Sequence, residues 1–256
     1  MKSLLKDELD QMWETFDYKW FVSNDPIQML HKIQRVPDSS IADIEICAML
    51  IAMVSWGQPN SIIYAANVLM SQCEWKPYYY IKFGDFYDIP DELNIYRTLT
   101  GKAFKEVCHL LRRFYSRNSS VKEYLKKHSI TFDDLLISLC NLYEPARLGS
   151  PYRNSACMRI NMLLRWMVRQ DEIDLGLWQT DFIKPENLYA IMSPHVAQQA
   201  QRMGFISYPK ESWKAVMELT HVYRQWDIKD PLKYDFILTT QNFKSVSYTH
   251  LRAHET

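Results

Sequence analysis

From Asp43 to Trp56 the chain is apolar on almost every face: Ile44, Ile46, Cys47, Met49, Leu50, Ile51, Met53 and Val54 leave no broad polar stripe. That pattern predicts a helix at the centre of its domain. Trp56-Gly57-Gln58-Pro59-Asn60 ends it, because Gly and Pro break the helical pattern. A second helix follows, with Ile62, Ile63, Ala66, Leu69 and Met70 on one face. A second clear stripe is Ile160, Leu163, Leu164, Met167 and Val168, at helical core spacing. Ser155 is placed to cap that helix.

Between these segments the pattern predicts helices near 100–116, 119–127 and 131–143, started at Thr100 and at Ser119-Ser120. The stretch up to Arg35 reads as helix, with a loop at Asn24-Asp25-Pro26. Residues 73–95 read as aromatic-rich and irregular, and Glu144 to Asn154 as a loop holding Pro145, Gly149 and Pro151. Pro185 opens a short helix, and Ser193-Pro194 opens another with a capping hydroxyl and a first-turn Pro. Ser212 caps a helix running to Trp226, and Asp230-Pro231 starts the last. No β-hairpin signal, repeat or low-complexity segment stands out, so the expected fold class is all-α.

Composition adds bounds. Six glycines in 256 residues favour helix. Five scattered cysteines form neither a zinc spacing nor a disulfide framework, which points to a reducing cytoplasm, with no metal and no cofactor. No apolar run has the length of a membrane span, and Met1-Lys2-Ser3-Leu4-Leu5-Lys6-Asp7-Glu8 turns acidic too early for a signal peptide. The formal net charge is zero, which argues against a protein that coats nucleic acid. The charge is uneven, however. Arg97 to Lys127 carries nine bases against two acids, and Pro145 to Arg169 carries five arginines and no acid. Such segments serve either as a phosphate-binding side or as solvated helix faces.

Several strings carry a resemblance: Asp43-Ile44-Glu45-Ile46, Ser55-Trp56-Gly57-Gln58, Tyr96-Arg97-Thr98, Ser155-Ala156-Cys157, Leu164-Arg165-Trp166-Met167-Val168-Arg169, Asp174-Leu175-Gly176-Leu177-Trp178, His195-Val196 and Asp230-Pro231-Leu232-Lys233-Tyr234-Asp235-Phe236. With them the chain resembles a bacterial family, domain of unknown function 2400, from about Pro26 to Phe236. That family in turn resembles a distant branch of the helix-hairpin-helix DNA glycosylases. The resemblance implies a two-lobed helical architecture in one all-α domain over residues 1–245. It places a cleft between 43–60 and 155–200. Residues 246–256 resemble translated adapter read-through and are expected to be a non-native tail.

Such enzymes flip a base into the cleft. A lysine attacks the sugar, and an aspartate at a nearby helix start assists it. In the family pattern that lysine falls at Met158 and that aspartate at Ser193, so no catalytic pair is intact. Met158 lies about 200° around the helix from Ile160, off the core stripe, and is expected to be exposed in the cleft. Ser193 keeps the cap and loses the charge.

The remaining candidates carry two readings each. Gln58, Arg153, Arg159, Arg165, Arg169 and His195 are DNA-binding candidates, with double-stranded DNA as the partner. The arginines alternatively pair with Asp171, Glu172 or Asp174, and His195 alternatively bonds the backbone. Trp56 either stacks on a base or closes the core, and Cys157 is either reactive or packed. Two functions follow: DNA binding or base-excision repair on an impaired scaffold, or a non-enzymatic protein-interaction domain. They are distinguished by whether 97–127 and 145–169 face one groove.

Overall fold

The computed structural model describes residues 2–240; the expected tail at 246–256 lies outside them. Among the described residues the chain is helical, in the order α1 (Lys2–Glu14), α2 (Tyr18–Asn24), α3 (Gln28–Gln34), α4 (Ile41–Val54), α5 (Pro59–Gln72) and α6 (Pro77–Phe83). A short antiparallel hairpin follows, β1 (Asn94–Tyr96) and β2 (Leu99–Thr100). Then come α7 (Gly101–Tyr115), α8 (Val121–Lys127), α9 (Phe132–Leu142), α10 (Met158–Val168), α11 (Pro194–Arg202), α12 (Trp213–Trp226) and α13 (Lys233–Thr240). None of the described helices is long and apolar enough to cross a membrane.

α4 is the axis. Ser40 and Asp43 form a reciprocal capping box at its start. Every residue from Ile44 to Val54 is buried, and α3, α5, α6 and α10 pack around it. The one charged side chain inside, Glu45, accepts four hydrogen bonds. Tyr115 Oη and the Val121 amide donate to Oε2 at 2.9 and 2.8 Å. The Lys122 amide and Trp178 Nε1 donate to Oε1 at 2.8 and 3.0 Å. One carboxylate thereby ties α4 to α7, to the first turn of α8 and to the loop after α10. Burial lifts the Glu45 pKa, against the lowering effect of these four donors.

Three expectations need correction. The hairpin at 94–100 escaped periodicity, because strands of two and three residues carry no detectable alternation. Residues 77–83 form α6 rather than irregular chain; Pro77 at its start and Gly84 at its end delimit it. α10 is preceded by Cys157, not capped by Ser155. Cys157 sits in the left-handed region (φ 49°) with no side-chain cap. Ser155 Oγ instead accepts the Cys157 amide at 3.3 Å, one turn too early to cap the helix.

No cleft separates α4, in the segment 43–60, from α10, in the segment 155–200. α4 and α10 pack directly on each other, inside one core that runs from Leu9 to Leu238. The corner at 56–60 and the loop at 147–155 that leads into α10 lie at the surface.

Candidate functional site

The surface where that corner and loop meet is built from three elements. The first is the corner after α4. Ser55 Oγ bonds back to the Ile51 carbonyl at 2.8 Å, closing the helix. Gly57 then turns at φ 118°, and a Cβ there would lie 2.5 Å from Arg97 Nη2. The backbone therefore favours glycine, and a side chain there would displace the Arg97 guanidinium. Gln58 precedes Pro59 at the start of α5, exposed, with no side-chain cap bond.

The second element is the turn of the β1–β2 hairpin. Tyr96 Oη donates to the Trp56 carbonyl at 3.0 Å, which fixes the hairpin against the corner. Arg97, in the left-handed region (φ 51°), then lays its guanidinium 4.6 Å from the Trp56 ring centre. Trp56 is half-buried.

The third element is the connection from α9 to α10. Tyr143 is fully buried and donates to the Met49 carbonyl at 2.8 Å, anchoring the loop on α4. Arg147 and Gly149 take positive φ values, and Ser155 returns its amide to the Ser150 carbonyl at 3.1 Å. From α10, Arg159 donates Nη1 to the Met53 carbonyl at 3.0 Å and Nη2 to the Arg147 carbonyl at 3.1 Å. Its guanidinium lies 5.8 Å from the Trp56 ring centre.

Arg97 and Arg159 thus face one tryptophan, and exposed Arg147 adjoins them through its backbone carbonyl. Among the described residues no carboxylate pairs with any of them. Burial without a counter-charge pulls the Arg159 pKa down to about 10. A partly desolvated guanidinium held by carbonyls alone favours an incoming anion. The amide-rich start of α10 adds positive potential beside it.

The expected site residues divide. Arg159 and Gln58 lie on or beside this surface. Arg153 is exposed in the 3-10 turn Pro151–Arg153, 3.9 Å from an equally open Glu144. Met158 opens α10 and is half-buried rather than exposed. Asn161, one turn on, donates Nδ2 to the Ala156 carbonyl at 3.1 Å and reaches the Ala190 carbonyl at 3.5 Å, drawing the segment before Ser193 onto α10. Ser193 caps α11 by accepting the Val196 amide at 3.1 Å. His195 is half-buried in the first turn of α11, with no hydrogen bond among the described residues.

Arg165 and Arg169 are corrected outright as surface contacts. They are 5% and 3% exposed. Arg165 Nε meets Asp174 at 3.1 Å, and Arg169 makes paired 2.8 Å bonds to Asp230 and a 3.2 Å bond to Asp174. Phe236 lies under both guanidinium groups, at 4.7 and 4.9 Å. The alternative pairing with Asp171 and Asp174 holds, and Asp25 and Asp230 from distant segments complete the cover. These partners drive the Arg169 pKa up despite burial.

The Cys157 thiol donates to the Ser155 carbonyl at 3.4 Å, and the neighbouring Cys140 thiol raises the Cys157 pKa while its own is lowered. Both are buried, so Cys157 is packed. Sequence reasoning did not make Arg97 or Arg147 a site candidate; the signals were their place inside the two basic segments and, for Arg97, the string Tyr96-Arg97-Thr98. From those segments, Arg97 and Arg159 both face the Trp56 ring. Arg112 turns away to the Ile81 carbonyl, and Lys105 pairs with Asp91. Elsewhere, a shallow groove of about 610 Å³ runs past Asp133, Phe182, Tyr189, Arg224 and Lys229 and shares no residue with the arginine cluster.

A family model described as "Protein of unknown function (DUF2400)" matches residues 25–244, and the chain belongs to that family. No curated protein and no solved structure matches it.

Proposed function

We propose that the protein binds the phosphate backbone of nucleic acid across the Trp56, Arg97, Arg147 and Arg159 surface, on a scaffold related to the helix-hairpin-helix glycosylases. The observation that carries the reading is two guanidinium groups, Arg97 and Arg159, converging on Trp56 without a carboxylate, with exposed Arg147 joined to Arg159 through its backbone carbonyl. The loop from α9 to α10 corresponds to the hairpin of that superfamily, and the start of α10 to the position of its nucleophile. Met158 there is a thioether with no amine to attack a sugar carbon, and Ser193 supplies a cap without a carboxylate. The function proposed is therefore binding without lyase chemistry.

The test is binding to duplex DNA containing an abasic site across a salt series. Arg97→Ala and Arg147→Ala should each weaken binding and lower the log–log salt slope by about 0.9 for each phosphate no longer neutralised. Affinity and slope unchanged in both variants remove this surface from any nucleic-acid interface.

A further inference from the structure

The loop that carries Arg147 continues into Pro151-Tyr152-Arg153, and here the structure offers something the backbone-binding reading does not use. Tyr152 is 81% exposed, more than any other large apolar or aromatic side chain among the described residues. It does not lie on a mobile strand end. Pro151 opens a 3-10 turn, the Arg153 amide bonds the Ser150 carbonyl at 3.1 Å, and Asn154 closes the turn in the left-handed region. A phenol ring held out into water on a stiffened turn has no packing role.

A second loop is tied to this one. Ser155 and Ser212 form an isolated antiparallel bridge. Asn154 accepts the Trp213 amide through its carbonyl and the Lys214 amide through Oδ1, each at 3.2 Å. The antiparallel sense places exposed Lys214 on the Arg153 side of the bridge, two cations brought together at a turn. On the other side the chain runs back through Lys210 to Tyr208, which is 70% exposed and whose carbonyl accepts the Lys210 amide at 2.8 Å. The acids on this strip are Glu144, 3.9 Å from Arg153, exposed Glu211, and Glu218, whose carboxylate accepts the Ser207 amide beside Tyr208 at 2.8 Å. The bases are Arg147, Arg153, Lys210 and Lys214.

Exposed aromatics interleaved with cations are the physical means of holding a strand whose bases are unpaired. Every base has a face that stacks, whereas in continuous duplex those faces are covered. Chain reach from the bridge limits the separation of the two tyrosines to roughly 30 Å, a few nucleotides of extended strand. We infer that Tyr152 and Tyr208 are stacking contacts for unpaired bases, so that the ligand is a single strand or a gapped duplex rather than continuous duplex. This rests on the phosphate-binding reading above and specifies its substrate class.

The experiment is fluorescence anisotropy with the whole protein and four labelled ligands at matched salt: oligothymidylate, oligouridylate, a gapped duplex and a continuous duplex. The expected order places the two single strands and the gapped duplex at least roughly tenfold tighter than the continuous duplex. Tyr152→Ala and Tyr208→Ala should each weaken single-strand binding by roughly 5- to 150-fold with the salt slope unchanged. Tyr152→Phe should keep most of the affinity, since the ring stacks and the hydroxyl does not. Both positions are open to solvent, and thermal melting of each variant verifies the fold. Oligothymidylate against oligouridylate tells DNA from RNA. Equal affinity for all four ligands, with both alanine variants at wild-type level, refutes stacking and leaves the backbone reading standing. Binding to none of them overturns both.

Discussion

Glu45→Ala is the sharpest test of how this fold is held. The substitution leaves four donors facing a small cavity: the Tyr115 hydroxyl, the Trp178 indole and the amides of Val121 and Lys122. Each orphaned buried donor costs about 1–3 kcal/mol, so four cost about 4–12 kcal/mol. Against that, the variant no longer desolvates a carboxylate, which returns several kcal/mol. The net expectation is a loss of about 3–5 kcal/mol, a large part of the ~5–15 kcal/mol that holds a typical domain. Urea unfolding followed by far-ultraviolet circular dichroism reads it as a drop of the midpoint by about 1 M or more at unchanged slope. Glu45→Gln should fall between, because its amide nitrogen turns toward two of the donors. A cycle with Tyr115→Phe should show a coupling of about 1 kcal/mol. A loss under about 1 kcal/mol for Glu45→Ala, with the slope unchanged, would mean that water replaces the carboxylate freely and that α8 and Trp178 are not held through it.

Asp235 sets a pH dependence. It is fully buried, takes one bond from the Ile191 amide at 2.7 Å, and has its pKa pushed from 3.8 up to about 7 by desolvation. A carboxyl with a raised native pKa favours folding below 3.8 and loses that contribution as pH rises through about 7, a difference of roughly 4 kcal/mol. Urea midpoints measured from acid to neutral pH should therefore fall for the wild type relative to Asp235→Asn, and parallel curves would contradict it. Arg169→Leu should cost about 3–5 kcal/mol by stranding Asp174 and Asp230, yet leave the salt slope of nucleic-acid binding unchanged; a flattened slope in a folded variant would return Arg169 to the interface. Borohydride trapping on duplex containing 8-oxoguanine should yield no adduct with the wild type, and Met158→Lys with Ser193→Asp is the variant expected to gain one. An adduct from the wild type would point to another amine, Lys184 or Lys214, as nucleophile.

The helices that the sequence specifies alone are those whose determinants are local. α4 is apolar all round, α10 has its stripe, and Thr100, Ser120, Ser193 and Ser212 each accept the amide expected of a cap. Periodicity and capping act within a turn or two, so one chain segment contains the whole cause. What the tertiary structure alone decided depends on partners far along the chain. Helical geometry put Arg165 and Arg169 on one face with Asp171 and Asp174 a few residues on, but only Asp25 and Asp230, from distant segments, complete the cover that makes that face interior. Helical phase put Met158 off the core stripe, but only packing made it half-buried. Arg97 reaches the Trp56 ring that Arg159 also faces because a hairpin too short to announce itself is pinned to the Trp56 carbonyl by Tyr96. A side chain's chemistry and direction are written in its own neighbourhood; whether water, an acid or another arginine meets it there is settled only when the chain closes on itself.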